Sequence, residues 1–512
     1  MHRDLLLALT DPTTYGETEP VRVCETHASW VFLAEASAFK VKKPLRLAFL
    51  DYSTLERRRG ACQEELHVNR ELGGDIYEEV LAIVIGPQGP RFAPDGAPDA
   101  VEYALRMRRF DERETLAAAI AADRVDERDL DAVARRIARF HARAPVCEDG
   151  GADAALHAWR TNLDELEQLD PGRPQVGAAR RFGEAFVAAH RQELDRRAAA
   201  GLVRDGHGDL RCEHVLLGAQ VRVVDRIEFD PALRRVDVGC DLAFLLMDLE
   251  LAGRADAGRE TLAAYRRAGG DPGGDELVWF FAAHWALVRA KVATIAASQH
   301  GPGSSREPER VARLFELAER LRWRARGPVA IAIAGPPASG KSTLAAELSR
   351  RGGLPVVSSD VIRKRLAGLP PTRRAPPDRY TPERTVETYR ALGKAAGLHL
   401  QDGRGVVIDA TCGTRSTRAE LLAALGAHPT RTLFVECRVP PESALERSAE
   451  RMKRPGNVSD ATPEVVARLL DAFEEIRELP ALAVARVDGR ASLDEQIEGV
   501  AKGADALLGG IT

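Results

Sequence analysis

A contiguous run of nine residues, 335–343, constrains the fold of this chain more than any other feature. It matches the pattern G-x-x-x-x-G-K-[ST], with an apolar, β-branched run at 329–334 before it and a helical pattern at 344–348 after it. Glycine lets the backbone turn so that several N–H groups point at phosphate oxygens. A chance match would lack the flanking strand and helix. The run therefore predicts a nucleoside triphosphate site.

We expect every residue of this loop to line the nucleotide site: Gly335, Pro336, Pro337, Ala338, Ser339, Gly340, Lys341, Ser342 and Thr343. Lys341 is suited to the β- and γ-phosphates as a point charge, and Ser342 offers a hydroxyl to Mg²⁺. The cofactors predicted from the loop are ATP and Mg²⁺.

Length and charge bound the rest of the chain. With 512 residues it is long enough for two or three domains. The net charge of -4 gives no bulk attraction to nucleic acid or to an anionic membrane surface. We therefore expect no membrane partner, and nucleic acid only through a local basic patch. No pattern indicates an oligomeric state.

Cysteine usage and the apolar segments indicate the compartment. The seven cysteines show no C-x-x-C spacing, which argues against a disulfide framework or a zinc ribbon and favours a reducing environment. The N-terminus has no apolar run long enough for a signal peptide. The most apolar helical segment, 278–297, contains His284, Arg289 and Lys291, which predicts a buried helix and not a membrane span. We therefore expect a cytoplasmic protein.

Strand patterns dominate the first part of the chain, and helical patterns follow. Five strands are predicted, at 21–25, 30–34, 38–43, 80–85 and 101–107, with a charged helix at 55–72. A Pro- and Gly-rich segment, 86–98, is predicted to be a turn. After Phe110 the pattern is mostly helical as far as 324. From 327 onward strands and helices alternate, which predicts a parallel sheet with crossover helices.

The helical part contains a motif that resembles a known family. The sequence H-G-D at 207–209, followed by a strand that ends at Asp225, is similar to the catalytic loop H-G-D-x-x-x-x-N and the metal-binding Asp of aminoglycoside phosphotransferases. The resemblance implies that Asp209 orients or deprotonates an acceptor hydroxyl. It implies that Asp225 binds a metal ion.

The same resemblance implies the fold. We expect an α+β, kinase-like bilobal domain at 1–325, with a small β-rich N-lobe at about 1–107 and a helical C-lobe at about 110–325. An α/β P-loop NTPase domain with a parallel sheet follows at 327–512.

Further roles in the kinase-like domain follow from the resemblance. Lys40 is the first candidate for the lysine that holds the α- and β-phosphates, and Lys42 is the second. Both lie on the same face of one strand, so alternation alone cannot choose between them. Glu65 on the charged helix is the expected partner of this lysine, with Glu64 as the alternative. Met107 begins the segment expected to contact adenine.

One position departs from the family pattern. His214 stands where aminoglycoside phosphotransferases have a metal-binding Asn. A neutral imidazole can ligate Mg²⁺, but hard cations prefer oxygen ligands. Glu213 and Asp230 are therefore alternative ligands.

Residues 327–512 resemble P-loop kinases of the polynucleotide kinase, zeta-toxin and gluconate kinase type. Asp360 and Arg363 follow the second strand of this part as Asp-x-x-Arg. In those kinases the Asp takes the proton from the acceptor hydroxyl, and the Arg contacts substrate or the transferring phosphate. Asp409, at the end of an apolar strand, resembles a Walker B acid suited to Mg²⁺.

A basic segment near the C-terminus resembles a kinase lid. Arg447 and Arg451 are four residues apart and share a helix face. A lid arginine neutralises phosphoryl charge in the transition state. The alternative is a solvated face on which Glu446 and Glu450 pair with these arginines.

The order of the two parts resembles a bacterial fusion family, in which an aminoglycoside phosphotransferase-like domain precedes an ATP-binding kinase domain. The resemblance implies an ATP-dependent phosphotransferase that acts on a hydroxyl of a small molecule, with two ATP-binding domains and the P-loop domain better equipped. One alternative is a nucleotide-gated regulatory or binding protein with a degenerate kinase-like lobe. Another is a kinase that acts on nucleotides or nucleic-acid ends.

Overall fold

The structure is a computed structural model that describes residues 3–47, 50–299, 306–370, 373, 376–426, 431–452 and 463–509. The chain folds into two units, each assembled from two segments. Unit 1 comprises residues 1–151 and 196–273, and unit 2 comprises residues 152–195 and 274–512. The domain boundary predicted near Gly327 separates two consecutive parts of the sequence, whereas each unit combines two separate segments. That boundary stays a prediction.

Unit 1 contains the first twelve strands. These are β1 (Arg22–Glu25), β2 (Ser29–Leu33), β3 (Ser37–Lys42), β4 (Arg46–Leu47), β5 (Leu50–Asp51), β6 (Tyr77–Gly86), β7 (Gly89–Pro94), β8 (Ala100–Arg108), β9 (Val203–Asp205), β10 (Val215–Leu216), β11 (Arg222–Val223) and β12 (Arg235–Asp237). Six of them form an antiparallel sheet in the order β1-β2-β3-β8-β6-β7. The pairs β4-β5, β10-β11 and β12-β9 are antiparallel ladders.

The helices in chain order are α1 (Arg3–Ala8), α2 (Leu55–Gly73), α3 (Leu116–Ala121), α4 (Glu127–Arg143), α5 (Ala152–Leu169), α6 (Pro174–Ala189), α7 (Arg191–Ala199), α8 (Val238–Leu251), α9 (Ala255–Arg267), α10 (Asp275–Gln299), α11 (Arg306–Ala325), α12 (Lys341–Gly352), α13 (Ser359–Leu366), α14 (Pro382–Gln401), α15 (Arg415–Leu425), α16 (Pro441–Met452), α17 (Pro463–Asp471) and α18 (Leu493–Gly509). Unit 1 contains α1 to α4, α8 and α9, and the boundary between the units falls within α7. The other helices belong to unit 2.

The sheet of unit 2 is parallel. Its strands are β13 (Ala330–Ala334), β14 (Val356–Ser358), β15 (Val406–Asp409), β16 (Thr432–Arg438) and β17 (Val484–Asp488), in the order β14-β15-β13-β16-β17. β13 is central and entirely buried, because its side chains face apolar clusters on both sides of the sheet. Its isoleucines pack with Leu344 of α12 on one face, and its alanines pack with Leu392 of α14 on the other.

Helices from the middle of the chain pack against this sheet domain within unit 2. The α6 helix contacts α18, and α11 contacts α12. A buried ion pair, Arg326 to Asp505 with an N–O distance of 2.7 Å, joins the end of α11 to α18. The P-loop domain therefore shares its packing with helices outside 327–512.

The predicted fold class is confirmed: an α+β kinase-like domain with an antiparallel sheet, and an α/β P-loop domain with a parallel sheet. One local prediction is wrong. The segment 86–98 is not only a turn, because β7 lies within it and pairs with β6. Its prolines are compatible with a strand at the edge of the sheet, where an N–H group is not needed on the outer side.

The α10 helix is long and apolar enough to cross a membrane by length and composition, the one such helix found among the described residues. Half of that stretch is buried within unit 2, where α10 packs against α11 and α5. This packing agrees with the buried helix expected from its ionisable residues.

Candidate functional site

The phosphate-binding loop joins β13 to α12 and has an unusual backbone. Gly335 and Gly340 have φ values of 145° and 99°, and Ala338 has a φ of 67°. A Cβ atom at Gly335 would lie 2.8 Å from the carbonyl oxygen of Cys437 and 2.9 Å from Ser339 Oγ. Only glycine fits this position. Ala338 adopts the left-handed region that non-glycine residues seldom occupy, a strain typical of functional loops.

Lys341 is the first residue of α12 and reaches back across the loop. Its Nζ donates a hydrogen bond of 2.7 Å to the carbonyl oxygen of Pro336, and the residue is 9% exposed. Ser342 and Thr343 follow in the first turn and are exposed. The N–H groups of a first helical turn have no partner within the helix and carry the positive end of the helix dipole. The loop thus combines a lysine and a helix N-terminus, both of which attract phosphate.

Two acidic residues lie at the same edge of the sheet as the loop. Asp409 ends β15 and is in register with Ile333 of β13 and Ser358 of β14. Asp360 follows Ser358 by two residues, in the first turn of α13. Because the carboxyl ends of parallel strands meet at one edge, the structure brings together the loop, Asp409 and Asp360.

Asp360 is flanked by two cations. Arg363 Nη1 lies 3.8 Å from Asp360 Oδ1, and Lys364 Nζ lies 3.7 Å from Oδ2. The carboxylate is nevertheless 47% exposed. The Arg363 guanidinium also stacks 4.4 Å from the ring centre of Tyr380, which fixes its orientation.

The two predicted lid arginines differ in what the structure describes. Arg447 donates a hydrogen bond of 3.1 Å to the carbonyl oxygen of Gly489, and a Cβ atom on that glycine would lie 2.4 Å from the carbonyl oxygen of Ser339. Arg447 is therefore tied to a segment that touches the phosphate-binding loop. The side chain of Arg451 lies outside the described residues, as do residues 453–462.

Unit 1 contains a second candidate site, built around two lysines on β3. Lys40 Nζ lies 2.7 Å from Glu65 Oε1 and 2.9 Å from Asp225 Oδ1. Lys42 Nζ lies 2.6 Å from Glu65 Oε2 and also pairs with Glu228. Glu65 thus joins both lysines. Glu64, the alternative partner, instead lies 3.2 Å from Arg234.

Burial distinguishes the two lysines. The side chain of Lys42 is buried, with 2% of its surface exposed. Its second partner, Glu228, also accepts a hydrogen bond of 3.0 Å from the hydroxyl of Tyr52. Lys40 reaches Asp225, whose side chain is 46% exposed. Lys40 therefore pairs with the half-exposed Asp225, whereas Lys42 pairs with the buried Glu228.

Charge pairing keeps Lys40 and Asp225 ionised. Burial alone would lower the pKa of Lys40, but the carboxylates of Asp225 and Glu65 hold that pKa well above its ordinary value. The ammonium of Lys40 in turn holds the pKa of Asp225 far below its ordinary value. Sequence reasoning did not identify Glu228. Its position three residues after Asp225 was the available signal.

The H-G-D loop of unit 1, predicted to be catalytic, is held by Asp241 of α8. Its carboxylate accepts hydrogen bonds from the backbone N–H groups of His207, at 2.7 Å, and Gly208, at 2.9 Å. It also lies 3.0 Å from His141 Nε2. Burial raises its pKa, but these hydrogen bonds and the imidazole of His141 outweigh burial and lower it to about 2. Asp241 therefore positions the H-G-D loop, a role its sequence context did not reveal.

At the tip of this loop, Arg211 joins the predicted site residues. Its Nη2 lies 2.8 Å from Asp209 Oδ2 and 3.1 Å from His214 Nε2, and its Nη1 pairs with Glu213. His214 Nε2 is 3.6 Å from Asp225 Oδ2. Asp230, the other alternative ligand, instead caps a short helical turn by accepting a hydrogen bond from the N–H of Ala232.

A cavity of about 280 Å³ lies at the end of β8, where the resemblance places adenine. Its lining includes Ile76, Arg108, Arg109, Phe110 and Leu216. The side chain of Met107 packs into the apolar cluster of unit 1 instead.

Comparisons with known proteins found similarity to a family model, to curated relatives and to solved structures. Residues 331–476 match the family model of an AAA domain. The chain is 32% identical over 463 residues to uncharacterized protein Rv2004c of Mycobacterium tuberculosis, covering 88% of this chain and 89% of that protein, and the same values apply to uncharacterized protein Mb2027c of Mycobacterium bovis. A choline/ethanolamine kinase family protein from Mesorhizobium loti is similar in structure, with 16% identity, coverage of 63% of this chain and 95% of that chain, and a TM-score of 0.39. A gluconokinase from Sinorhizobium meliloti is also similar in structure, with 22% identity, coverage of 35% of this chain and 91% of that chain, and a TM-score of 0.25.

The mycobacterial relatives cover nearly the whole chain, so the similarity extends over both kinase-like folds. This protein therefore belongs to the same family as Rv2004c and Mb2027c.

Proposed function

We propose that this protein is an ATP-dependent phosphotransferase that moves the γ-phosphate of ATP to a hydroxyl of a small molecule in its P-loop domain. The observation that carries the proposal is the meeting of loop 335–343, Asp409 and Asp360 at one edge of the parallel sheet. A phosphate cradle alone would fit any nucleotide-binding protein. Asp360, in the first turn of the helix that follows β14, adds a group that can accept a proton from an acceptor.

The loop residues fit a nucleotide. The close approach at Gly335 leaves a cradle that a Cβ atom would fill, and Ser339 Oγ is buried without a hydrogen-bond partner among the described residues. Lys341 and the N–H groups that open α12 would bind the β- and γ-phosphates. Ser342 and Asp409 would hold Mg²⁺, which neutralises phosphate charge when it is bound.

The residues around Asp360 fit an acceptor hydroxyl. Asp360 would accept the hydroxyl proton, because its carboxylate is exposed at the same edge as the loop. Arg363, at 3.8 Å, and Lys364, at 3.7 Å, place positive charge beside that carboxylate, and Arg447 would steady the loop through Gly489. Phosphoryl transfer is catalysed mainly by such positioning and charge.

The cations near Asp360 favour an acceptor that itself carries negative charge. Arg363 has a buried Nε–H group without a hydrogen-bond partner among the described residues. A buried donor of this kind is costly unless a ligand uses it. We therefore infer an acidic hydroxyl compound, such as a sugar acid or a phosphorylated alcohol, as the substrate class.

The test uses the full-length chain, because the P-loop domain shares packing with α6 and α11. Consumption of ATP is measured with a panel of neutral and acidic hydroxyl compounds. Lys341→Ala should reduce turnover by about 10²–10³-fold, since it removes a preorganised charge from the phosphates. Lys502→Ala, on the exposed side of α18, is the matched control and should leave turnover unchanged. Equal turnover in both variants contradicts the proposal.

A further inference from the structure

Arg211 of unit 1 links the three side chains that surround the catalytic loop. One of its nitrogens, Nη2, donates to Asp209 Oδ2 at 2.8 Å and to His214 Nε2 at 3.1 Å. The other, Nη1, pairs with Glu213. A single guanidinium therefore lies among Asp209, Glu213 and His214, the acids and the imidazole that a metal ion at this loop would need.

Both ring nitrogens of His214 make hydrogen bonds. Its Nδ1 lies 2.8 Å from the carbonyl oxygen of Asp209, a contact in which the ring nitrogen must be the donor. Its Nε2 receives a hydrogen bond from Arg211, so Nε2 must be the acceptor. With Nδ1 as the donor to Asp209, the lone pair on Nε2 is used by Arg211. In this arrangement His214 does not fit the role of a metal ligand.

Charge leads to the same conclusion. Arg211 pairs with the carboxylates of both Asp209 and Glu213, and an arginine guanidinium is always charged in proteins. A divalent cation bound by His214 would lie next to this fixed positive charge and be repelled by it. Arg211 also has a buried Nε–H group without a partner among the described residues, so its donors exceed those that the loop itself uses.

We propose that Arg211 is a fixed cation in the kinase-like unit, standing in place of a metal ion that residue 214 would otherwise bind. The metal ligand that the family's asparagine supplies is then not needed at position 214, because Arg211 supplies the positive charge. Asp225, which contacts Lys40 and is half-exposed, is left as the acid that can bind a divalent ion. This inference concerns unit 1 and does not depend on phosphotransfer in the P-loop domain.

Counting bound ions tests the proposal without any activity measurement. The full-length chain, free of nucleotide, is titrated with Mn²⁺, and the unbound ion is followed by electron paramagnetic resonance. Carboxylates and an imidazole are suitable ligands for Mn²⁺. Arg211→Ala should bind one more Mn²⁺ per chain than the wild type, and the double variant Arg211→Ala, His214→Ala should return to the wild-type count. Arg211→Lys keeps a positive charge and should gain no ion.

His214→Ala alone keeps the proposal falsifiable if Arg211→Ala does not fold. The proposal expects this variant to bind as many ions as the wild type. Loss of an ion on His214→Ala would show that His214 is a metal ligand in the wild type and would overturn the proposal. A folded Arg211→Ala chain with the wild-type number of ions would overturn it as well.

Discussion

The two candidate sites of this protein differ in how they present positive charge. In the P-loop domain the loop and the helix N-terminus come from one contiguous stretch, and Lys341 is held by a backbone carbonyl within it. In the kinase-like unit Lys40 and Lys42 are held by carboxylates from α2 and from the segment after β11. The first site is organised by local backbone geometry and the second by ion pairs between distant segments. Loss of one partner should therefore damage the second site more widely.

The largest expected effect is on the rate of phosphotransfer, and it compares the acidic residue of each site, Asp360 and Asp209. Asp360→Asn should lower phosphotransfer by about 10²–10⁴-fold with little change in the KM for ATP, because it removes the proton acceptor and leaves the loop intact. Asp209→Asn should leave most of the turnover in place if the P-loop domain carries it. Steady-state kinetics on the full chain measure both.

Asp402→Asn, at an exposed position after α14, is the matched control and should behave as the wild type. A larger loss with Asp209→Asn than with Asp360→Asn would reverse the comparison and identify the kinase-like unit as the main catalytic site.

The next effect concerns stability and tests the difference between the lysines. Lys42→Met leaves Glu65 and Glu228 in a buried position with one partner removed, which costs about 3–5 kcal/mol in the free energy of unfolding. Lys40→Met should cost less, because Asp225 is half-exposed and can be solvated. Urea denaturation followed by circular dichroism measures both values.

Lys43→Met provides the control for this pair. Lys43 lies just after β3 and pairs with Glu25, which is 67% exposed, so its loss should change stability by less than about 1 kcal/mol. If Lys40→Met and Lys42→Met were equally destabilising, burial would not distinguish the two lysines.

The smallest effect is a dependence of stability on pH that arises in the kinase-like unit. Burial lowers the pKa of His207 from 6.5 to about 4, and its Nε2 lies 3.0 Å from the carbonyl oxygen of Val224. Between these two pKa values the unfolded chain binds more protons than the folded chain. The contribution of His207 to the free energy of unfolding is therefore fully present above pH 6.5. It is lost as the pH decreases toward 4, and the loss is roughly 2 kcal/mol at pH 5.

His207→Gln should remove this part of the pH dependence, since glutamine does not titrate. Exposed His157 offers the matched control, and His157→Gln should leave the slope unchanged. Unfolding free energies at pH 7 and pH 5 give the comparison. A wild-type slope in His207→Gln would mean that other groups cause the acid sensitivity.

Much of the fold followed from local patterns, and the exceptions have physical causes. The strand before the phosphate-binding loop was recognisable because a central parallel strand is apolar throughout. The β7 strand was missed because proline and glycine dominate its segment, and its pairing with β6 is a contact that composition does not show. The assignment of α5 and α6 to the same unit as the P-loop domain depends on packing between helices far apart in sequence.

The candidate sites divide in the same way. Local sequence was sufficient to predict the strand, loop and helix around residues 335–343, since the glycines, lysine and serine of the motif lie within nine consecutive residues. Alternation along a strand placed Lys40 and Lys42 on one face but could not rank them. Only the tertiary structure separates them, because the partners Asp225 and Glu228 are almost two hundred residues away. The bond from Arg211 to His214 likewise depends on how the catalytic loop folds. A site made mainly by the backbone of one loop can be predicted from contiguous sequence. A site made by ion pairs depends on which distant side chains the fold brings within a few ångströms of one another.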